Sequence, residues 1–410
     1  MATMEDQLAG LRARLARYPA DRYPVQRATC QFHLGTLLLQ ANRASEALSP
    51  LATAESGFAA CGMALERAKA TNMRGVAFRT AGDARRASES FERAVQDFHA
   101  LDRPVEQAAA AFNLGLVCAD RRDVAAARTA LALAEELFAA SGLTAQAAAA
   151  QREQGSLLLQ TGDADAAIQV LAPAVEMASR GGDIPGAGAA ANALGLAHLA
   201  RGDVAAALEA FHRALSAHPR SVRPAEYAMV KSNLALAHER SGDTVRALLA
   251  AQQALGVSGA ERPVRTQAQE LLNRLPEASG AELFDVLDQE PPQLWQALVR
   301  EEVLRWADGL VALRRDAAAA WVAGQLRRED RAYDLAETLL STLLELPPPA
   351  YHRVVAALVE AVGRRSAEEA DRFRAVVRSA MARFPIPQWQ RLATTFDQVA
   401  LEYGQPTAWK

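Results

Sequence analysis

The chain has 410 residues, 50% of them hydrophobic, and a formal net charge of −3. Such a composition can bury a large core, while the near-neutral balance gives no general attraction to nucleic acid or to a membrane surface. No run of about 18 apolar residues offers a bilayer span. The three cysteines, Cys30, Cys61 and Cys118, have neither metal-ligand spacing nor a disulfide pattern, so a reducing cytoplasm is expected.

Met1 to Arg17 reads as a charged amphipathic helix without the apolar centre of a secretory leader, and residues 1–23 form an N-terminal segment. From residue 24 an internal repeat takes over. Glycine stands at Gly35, Gly75, Gly115, Gly155 and Gly195, each 40 residues after the last, and Ala235 is the sixth member. In phase run an aspartate column (Asp83, Asp123, Asp163, Asp203, Asp243) and two alanine columns that pass through Ala127 and Ala134. Between the alanines lies a bulkier column, Leu51, Phe91, Leu131, Leu171 and Phe211, closed by Ala251.

Within the third repeat, Val105–Asp120 carries Phe112, Leu114, Leu116 and Val117 at helical spacing. Arg121-Arg122-Asp123 interrupts it, where other repeats have Gly82-Asp83, Gly162-Asp163, Gly202-Asp203 and Gly242-Asp243. Glycine there suits the left-handed residue that ends a helix, and the aspartate suits the cap of the next. A second helix, Val124–Ala140, completes a hairpin. The glycine column lets the two helices approach, and the bulky column fills the space beside it.

This pattern resembles the tetratricopeptide repeat. The family's signature is visible in Asn113-Leu114-Gly115, Ala127, Leu131 and Ala134, and again in Ala193-Leu194-Gly195, Ala207, Phe211, Ala214 and Pro219. The period of 40 exceeds the usual value of about 34, as in the long-period variant of bacterial regulators and polarity adaptors. Arg74 and Gln154 replace an expected leucine, which predicts looser packing in those two units. The resemblance implies an all-α, right-handed superhelix of six long hairpins over residues 24–260. Residues 261–276 then read as a capping helix, with the polar Gln267, Gln269, Glu270 and Asn273 suited to shielding the last apolar face.

Pro276 through Gly280 marks a boundary, and residues 277–410 are expected to form an all-helical domain, a degenerate repeat or small bundle. Its helices are placed at 281–289, 292–313, 316–327, 330–346, 349–363, 366–383 and 387–402. Three starts carry proline. Pro347, Pro349 and Arg353 recur as Pro385, Pro387 and Arg391, offset by 38.

First helices of such repeats line the inner face of the superhelix, so the resemblance points to a partner-binding groove. Its candidates are His33, Gln40, Asn72, Arg79, Asn113, Asp120, Arg152, Glu153, Asn192, Asn233 and Arg240. Asparagine amides can pair with both polar groups of an extended backbone, and arginine can grip a carboxylate. His198 and His238 occupy the column of Phe78, Cys118 and Leu158, and read as packing residues rather than metal ligands. No phosphate loop or nucleophile elbow is present. Glu135-Glu136, Glu301-Glu302 and Glu368-Glu369 read as solvated, salt-bridging helix faces.

The leading expectation is a non-catalytic adaptor or scaffold, without cofactor or metal, that binds a protein or peptide and supports the assembly or activity of a partner enzyme. It is expected to bind neither nucleic acid nor membrane. A ligand- or peptide-sensing regulator is the alternative. An enzyme comes third, with a site around Trp295, Glu301, Glu302, Arg305, Tyr351 and His352. The tryptophans after residue 290 have two readings: a second contact surface, for a partner or for self-association through the C-terminal half, or the core of that half.

Overall fold

The computed structural model describes residues 3–276 and 280–409. Met1 and Ala2, in the N-terminal segment, and residues 277–279, in the boundary placed at Pro276–Gly280, lie outside the described residues. The described residues contain α-helices and one 3₁₀ turn, without a strand. Two compact units divide the chain, Met1–Ala217 and His218–Lys410.

The first unit holds α1 (Met4–Arg17) and five hairpins: α2 (Pro24–Gln40) with α3 (Ala44–Ala60), α4 (Ala64–Thr80) with α5 (Ala84–Ala100), α6 (Pro104–Asp120) with α7 (Val124–Ala140), α8 (Thr144–Gln160) with α9 (Ala164–Arg180), and α10 (Ile184–Arg201) with α11 (Val204–Ala217). From α2 to α9 every helix has 17 residues. The turn within a hairpin uses a left-handed residue, Gly82 at φ 85° and Gly162 at φ 84°, and the turn between hairpins does the same at Gly62 and Gly142. The backbone therefore repeats every helix, and only the side chains distinguish first helices from second. Arg122 (φ 61°) and Asn42 (φ 59°) take that conformation without being glycine. Each aspartate of the column then caps a second helix; Asp83 Oδ1 accepts from the Arg86 amide at 3.0 Å and Asp123 Oδ1 from the Ala126 amide at 3.2 Å.

The glycine and bulky columns meet. A methyl added at Gly35 would lie 2.5 Å from Leu51 Cγ, one at Gly75 2.7 Å from Phe91 Cε1, and one at Gly115 2.6 Å from Leu131 Cγ. In the sixth hairpin Ala235 and Ala251 divide the same volume differently, and both are fully buried.

Arg74 and Gln154 do not leave loose packing. Arg74 Nη1 lies 2.5 Å from Glu55 on the preceding second helix. The Gln151 and Gln154 amides donate to the two oxygens of Glu135 at 2.5 and 2.7 Å. Glu135 is thus an interface residue and not part of a solvated face. At the other end α1 lies on α2 through Leu8, Leu11 and Leu15, and Arg27 donates to Tyr18 O at 3.1 Å.

The second unit opens with the sixth hairpin, α12 (Pro224–Ser241) and α13 (Thr244–Leu255), and α14 (Arg262–Arg274) packs on both. Gln267 Nε2 donates to Ser232 Oγ at 2.9 Å and to Asn233 Oδ1 at 3.2 Å, so the polar helix covers the hairpin through amide contacts. Then follow α15 (Glu282–Gln289), α16 (Pro292–Asp308), α17 (Val311–Leu326), α18 (Ala332–Glu345), α19 (Pro348–Gly363), α20 (Ala367–Met381) and α21 (Ile386–Glu402). From α16 onward, α16, α18 and α20 pack in one row and α17, α19 and α21 in another. The recurrent arginines serve this arrangement. Arg353 donates to Ala307 O at 3.1 Å, at the end of α16, and Arg391 donates to Leu344 O at 3.3 Å, at the end of α18.

One boundary differs from the sequence reading. A single helix was expected from 292 to 313, but α16 stops before Gly309. Arg314 turns its guanidinium onto the orphan carbonyls there, bonding Trp306 O at 3.0 Å and Gly309 O at 2.8 Å. Trp295, Trp306 and Trp321 are core residues, and Trp409 is completely buried against Phe396, with ring centroids 4.9 Å apart. Trp389 is half-buried. The burial of the first three removes them from any exposed contact surface.

Candidate partner-binding face and a buried ionic cluster

The first helices α6 and α8 each carry a half-buried stripe that ends on an exposed residue. In α6 it is Ala109, Asn113, Leu116 and Asp120; in α8 it is Ala149, Glu153, Ser156 and Gln160. Steps of four, three and four residues keep a stripe on one helix face, and the 40-residue period sets the stripes of α2, α4, α6, α8 and α10 in register. The result is a mixed surface of amides, small apolar groups and charges.

The candidate groove residues divide by burial. His33 and Gln40 are exposed and line a cleft of about 410 Å³ beside α1, together with Gln7 and Arg14. Asn72 and Asn113 are half-buried, and Asn72 Oδ1 has no hydrogen-bond partner among the described residues. Arg79 Nε donates to Asp120 Oδ2 at 3.1 Å and ties α4 to α6. Arg152 Nη2 donates to Glu153 Oε1 at 2.5 Å. These arginines pair with carboxylates of the chain itself. Asn192 and Asn233 are buried, not on the open face, and Asn233 accepts from Gln267. Arg240 is exposed near the end of α12.

His198 sits beside Arg201, whose Nη2 is 3.3 Å from His198 Nδ1, and burial lowers its pKa, with the Arg201 charge adding to the effect. Among the described residues no three histidine, cysteine or carboxylate side chains come together to hold a metal.

In the second unit a cluster missed in the sequence joins α12, α13 and α16. Glu302 is only 2% exposed; Gln253 Nε2 donates to its Oε1 at 2.9 Å and Arg305 to its Oε2 at 2.6 Å. Lys231 Nζ lies 3.8 Å from Glu301 Oε2 and 5.6 Å from the Tyr227 ring centre. Arg220 reaches Asp308 Oδ2 at 3.0 Å, while Arg220 Nη1, Tyr227 Oη and Glu301 Oε2 are buried without a hydrogen-bond partner among the described residues. Burial pulls Lys231 down to about 8, against the favourable charge of Glu302. Burial likewise pushes Glu301 up to about 7, opposed by Arg220 and assisted by Glu302. Glu301-Glu302 is therefore no solvated face. One signal was available: Lys231 stands in a column otherwise filled by Gln31, Thr71, Ala111, Gln151 and Ala191.

The remaining members of the enzymatic reading are engaged separately. Trp295 donates to Leu287 O at 3.0 Å, Tyr351 to Arg391 O at 3.4 Å, and His352 lies 3.8 Å from Glu402.

Stacked helical hairpins with small-residue seams and an open first-helix face define a helical-repeat protein. Three stretches, residues 72–142, 152–222 and 192–263, match the tetratricopeptide repeat family. The repeats within residues 72–263 are of the tetratricopeptide type, and arrays of this kind are interaction scaffolds built around extended binding surfaces. No curated protein matches the sequence. Among similar solved structures, that of BtubC (BKLC) from P. vanneervenii is 17% identical with a TM-score of 0.45, covering 55% of this chain and 89% of that one. A putative kinesin light chain from Podosopora anserina with nearly identical TPR-like repeats is 19% identical with a TM-score of 0.42, covering 49% and 99%. A Rap protein complexed with Competence and Sporulation Factor is 13% identical with a TM-score of 0.44, covering 83% and 88%. No described helix is long and apolar enough to cross a membrane.

Proposed function

We propose that the chain is a non-catalytic adaptor that binds a protein or peptide segment across the open faces of α4, α6 and α8, and through it supports the assembly or activity of a partner enzyme. The supporting observation is the stripe on α6 that runs from the half-buried Asn113 amide through apolar Leu116 to Asp120, which is paired with Arg79, with the Arg152–Glu153 pair on α8. Because these charges are already matched, the face favours an extended segment with apolar side chains and free backbone groups over a highly charged one. Binding should accordingly depend only weakly on salt.

The test is site-directed photo-crosslinking with a benzophenone amino acid at Asn113 or, on the exposed side of a second helix, at Arg128. The expected result is one partner crosslinked from 113, not from 128, and lost when Ser156→Arg obstructs the stripe. Crosslinking from 128 alone would move the interface to the other face and overturn the proposal.

A further inference from the structure

We infer that the second unit carries a binding site for a small organic anion, whose phosphate or carboxylate head group rests on Arg314 and Arg353 in the cleft between α17, α19 and α21. The cleft measures about 320 Å³, at the lower end of the range for small-molecule sites. Val311, Ala356 and Tyr403 give it an apolar side, and Val311 (57% exposed) and Tyr403 (45%) stand open to solvent.

The helical rows of this unit show what sets the arginine pair apart. Arg314 and Tyr351 are both the fourth residue of their helices, α17 and α19, and Arg353 and Arg391 are both the sixth of theirs, α19 and α21. At the end of α18, Arg391 donates to Leu344 O and Leu346 O and lies over the Tyr351 ring, 4.8 Å from its centre. At the end of α16 a second guanidinium takes the place of that ring. Arg314 and Arg353 both donate to Ala307 O, at 3.4 and 3.1 Å, and Arg314 also bonds the Trp306 and Gly309 carbonyls. Neither pairs with a carboxylate among the described residues. One arginine suffices to cap α18, so the second charge at α16 exceeds what capping requires.

The surroundings do not cancel that excess. A helix C-terminus supplies the equivalent of only about half a negative charge against the two guanidiniums. Arg314 is buried, and burial, followed by the Arg353 charge, lowers its pKa. Of the carboxylates in the cleft, Glu360 is shared by Arg315 at 2.9 Å and Arg364 at 2.6 Å, and Glu402 lies 3.8 Å from His352. Four guanidiniums, Arg364 included, thus meet two carboxylates. Arg353 is exposed and gives one bond to a carbonyl, which leaves it donors for a ligand. An oxyanion would offset the pair and accept those donors in the forked geometry that arginine presents to phosphates and carboxylates. An ammonium ligand would meet the same surplus as repulsion.

The probes are phenyl phosphate, benzoate and benzyl alcohol, which share one ring and differ in the head group. Binding to the full chain is read by calorimetry. At least one anion should bind saturably, about tenfold or more tighter than the alcohol, and the tighter of the two identifies the head group. Arg353→Gln, at an exposed position, should weaken that anion by about tenfold or more. Val311→Glu, at the exposed rim, should weaken it as well without altering the melting profile. Absence of saturable binding by either anion, equal affinity for anion and alcohol, or undiminished affinity in Arg353→Gln or in Val311→Glu would each overturn the assignment. Val311→Glu leaves the carbonyl contacts of both arginines in place, so the test stands even if Arg353→Gln disturbs the end of α16.

Discussion

Replacing Lys231 with Met and Glu301 with Gln in the same chain should stabilise the contact between the sixth hairpin and α16 at neutral pH. Taking a lysine from 10.5 to about 8 corresponds to about 3 kcal/mol of disfavoured charge, and the rise of Glu301 from 4.5 to about 7 has a similar size. The two are not additive, because the groups lie 3.8 Å apart and share Arg220 and Glu302 as neighbours. The signs make neutral pH the weakest point. The lysine penalty develops as pH falls from 10.5 to about 8 and is complete below that; the glutamate penalty develops as pH rises from 4.5 to about 7 and is complete above it. Both are therefore in force between about 7 and 8. Wild-type stability minus that of the double variant should pass through a minimum in that window and recover on either side. A gain of about 2 kcal/mol for the variant at pH 7.5 is expected, in line with other buried ion pairs replaced by uncharged groups. Denaturant unfolding of the full chain from pH 5 to 10 measures the difference, and amide exchange in α12 and α16 localises it. A pH-independent difference, or a variant less stable than wild type at pH 7.5, would refute the reasoning.

Three further outcomes are expected. Glu135→Val alone should cost about 2 kcal/mol by leaving the Gln151 and Gln154 amides without their acceptor, whereas adding Gln151→Ala and Gln154→Leu should restore most of it; denaturant midpoints of the single and triple variants decide this. Arg122→Gly should raise stability by about 1 kcal/mol by relieving a side chain held at φ 61°, and a lowered melting temperature would show that the arginine earns its place through other contacts. Gly115→Ala should lose about 2 kcal/mol because its Cβ would sit 2.6 Å from Leu131 Cγ, and Leu131→Ala in the same chain should recover part of that loss in the same melting assay.

The repeats were readable in the sequence because their constraints are local or steric. A glycine opposed to Leu51 or Phe91 tolerates no substitute, and an aspartate that caps a helix is tied to the turn before it, so both persist as columns. The partners of Arg74 and Gln154 were not readable. They come from the preceding hairpin, 19 residues upstream, and identifying them requires knowing that a second helix abuts the next first helix. Glu302 was misread for a different reason. Trp295, Val299, Val303 and Trp306 define the buried side of α16, and Glu302 falls within it, but the neighbouring arginine suggested a solvated pair. Asn192 and Asn233 were misplaced because identical columns do not have identical exposure: positions half-open at Asn72 and Asn113 are closed at Asn192 and Asn233. Apolar periodicity could not foresee the end of α16 at Gly309, which depends on Arg314 folding back onto its carbonyls.

The array stores its information as matched sets across interfaces more than as single columns. Where the preceding second helix offers Glu55 or Glu135, the next first helix answers with Thr71 and Arg74 or with Gln151 and Gln154. In the intervening units the same positions read Val95, Ala111 and Leu114, then Val175, Ala191 and Leu194. Polar and apolar seams alternate over these four sets, and the next set in the sequence, Leu215, Lys231 and Leu234, breaks the alternation at the buried Lys231, whose carboxylate neighbour Glu301 comes from α16. A mixed set would bury a carboxylate against leucine or an arginine against valine, and either would leave an uncompensated charge. The exchange of glycine and leucine for Ala235 and Ala251 follows the same rule in volume instead of polarity. A unit moved within this array would therefore keep its own fold, yet fit only where the polarity of both neighbours matches its two seams.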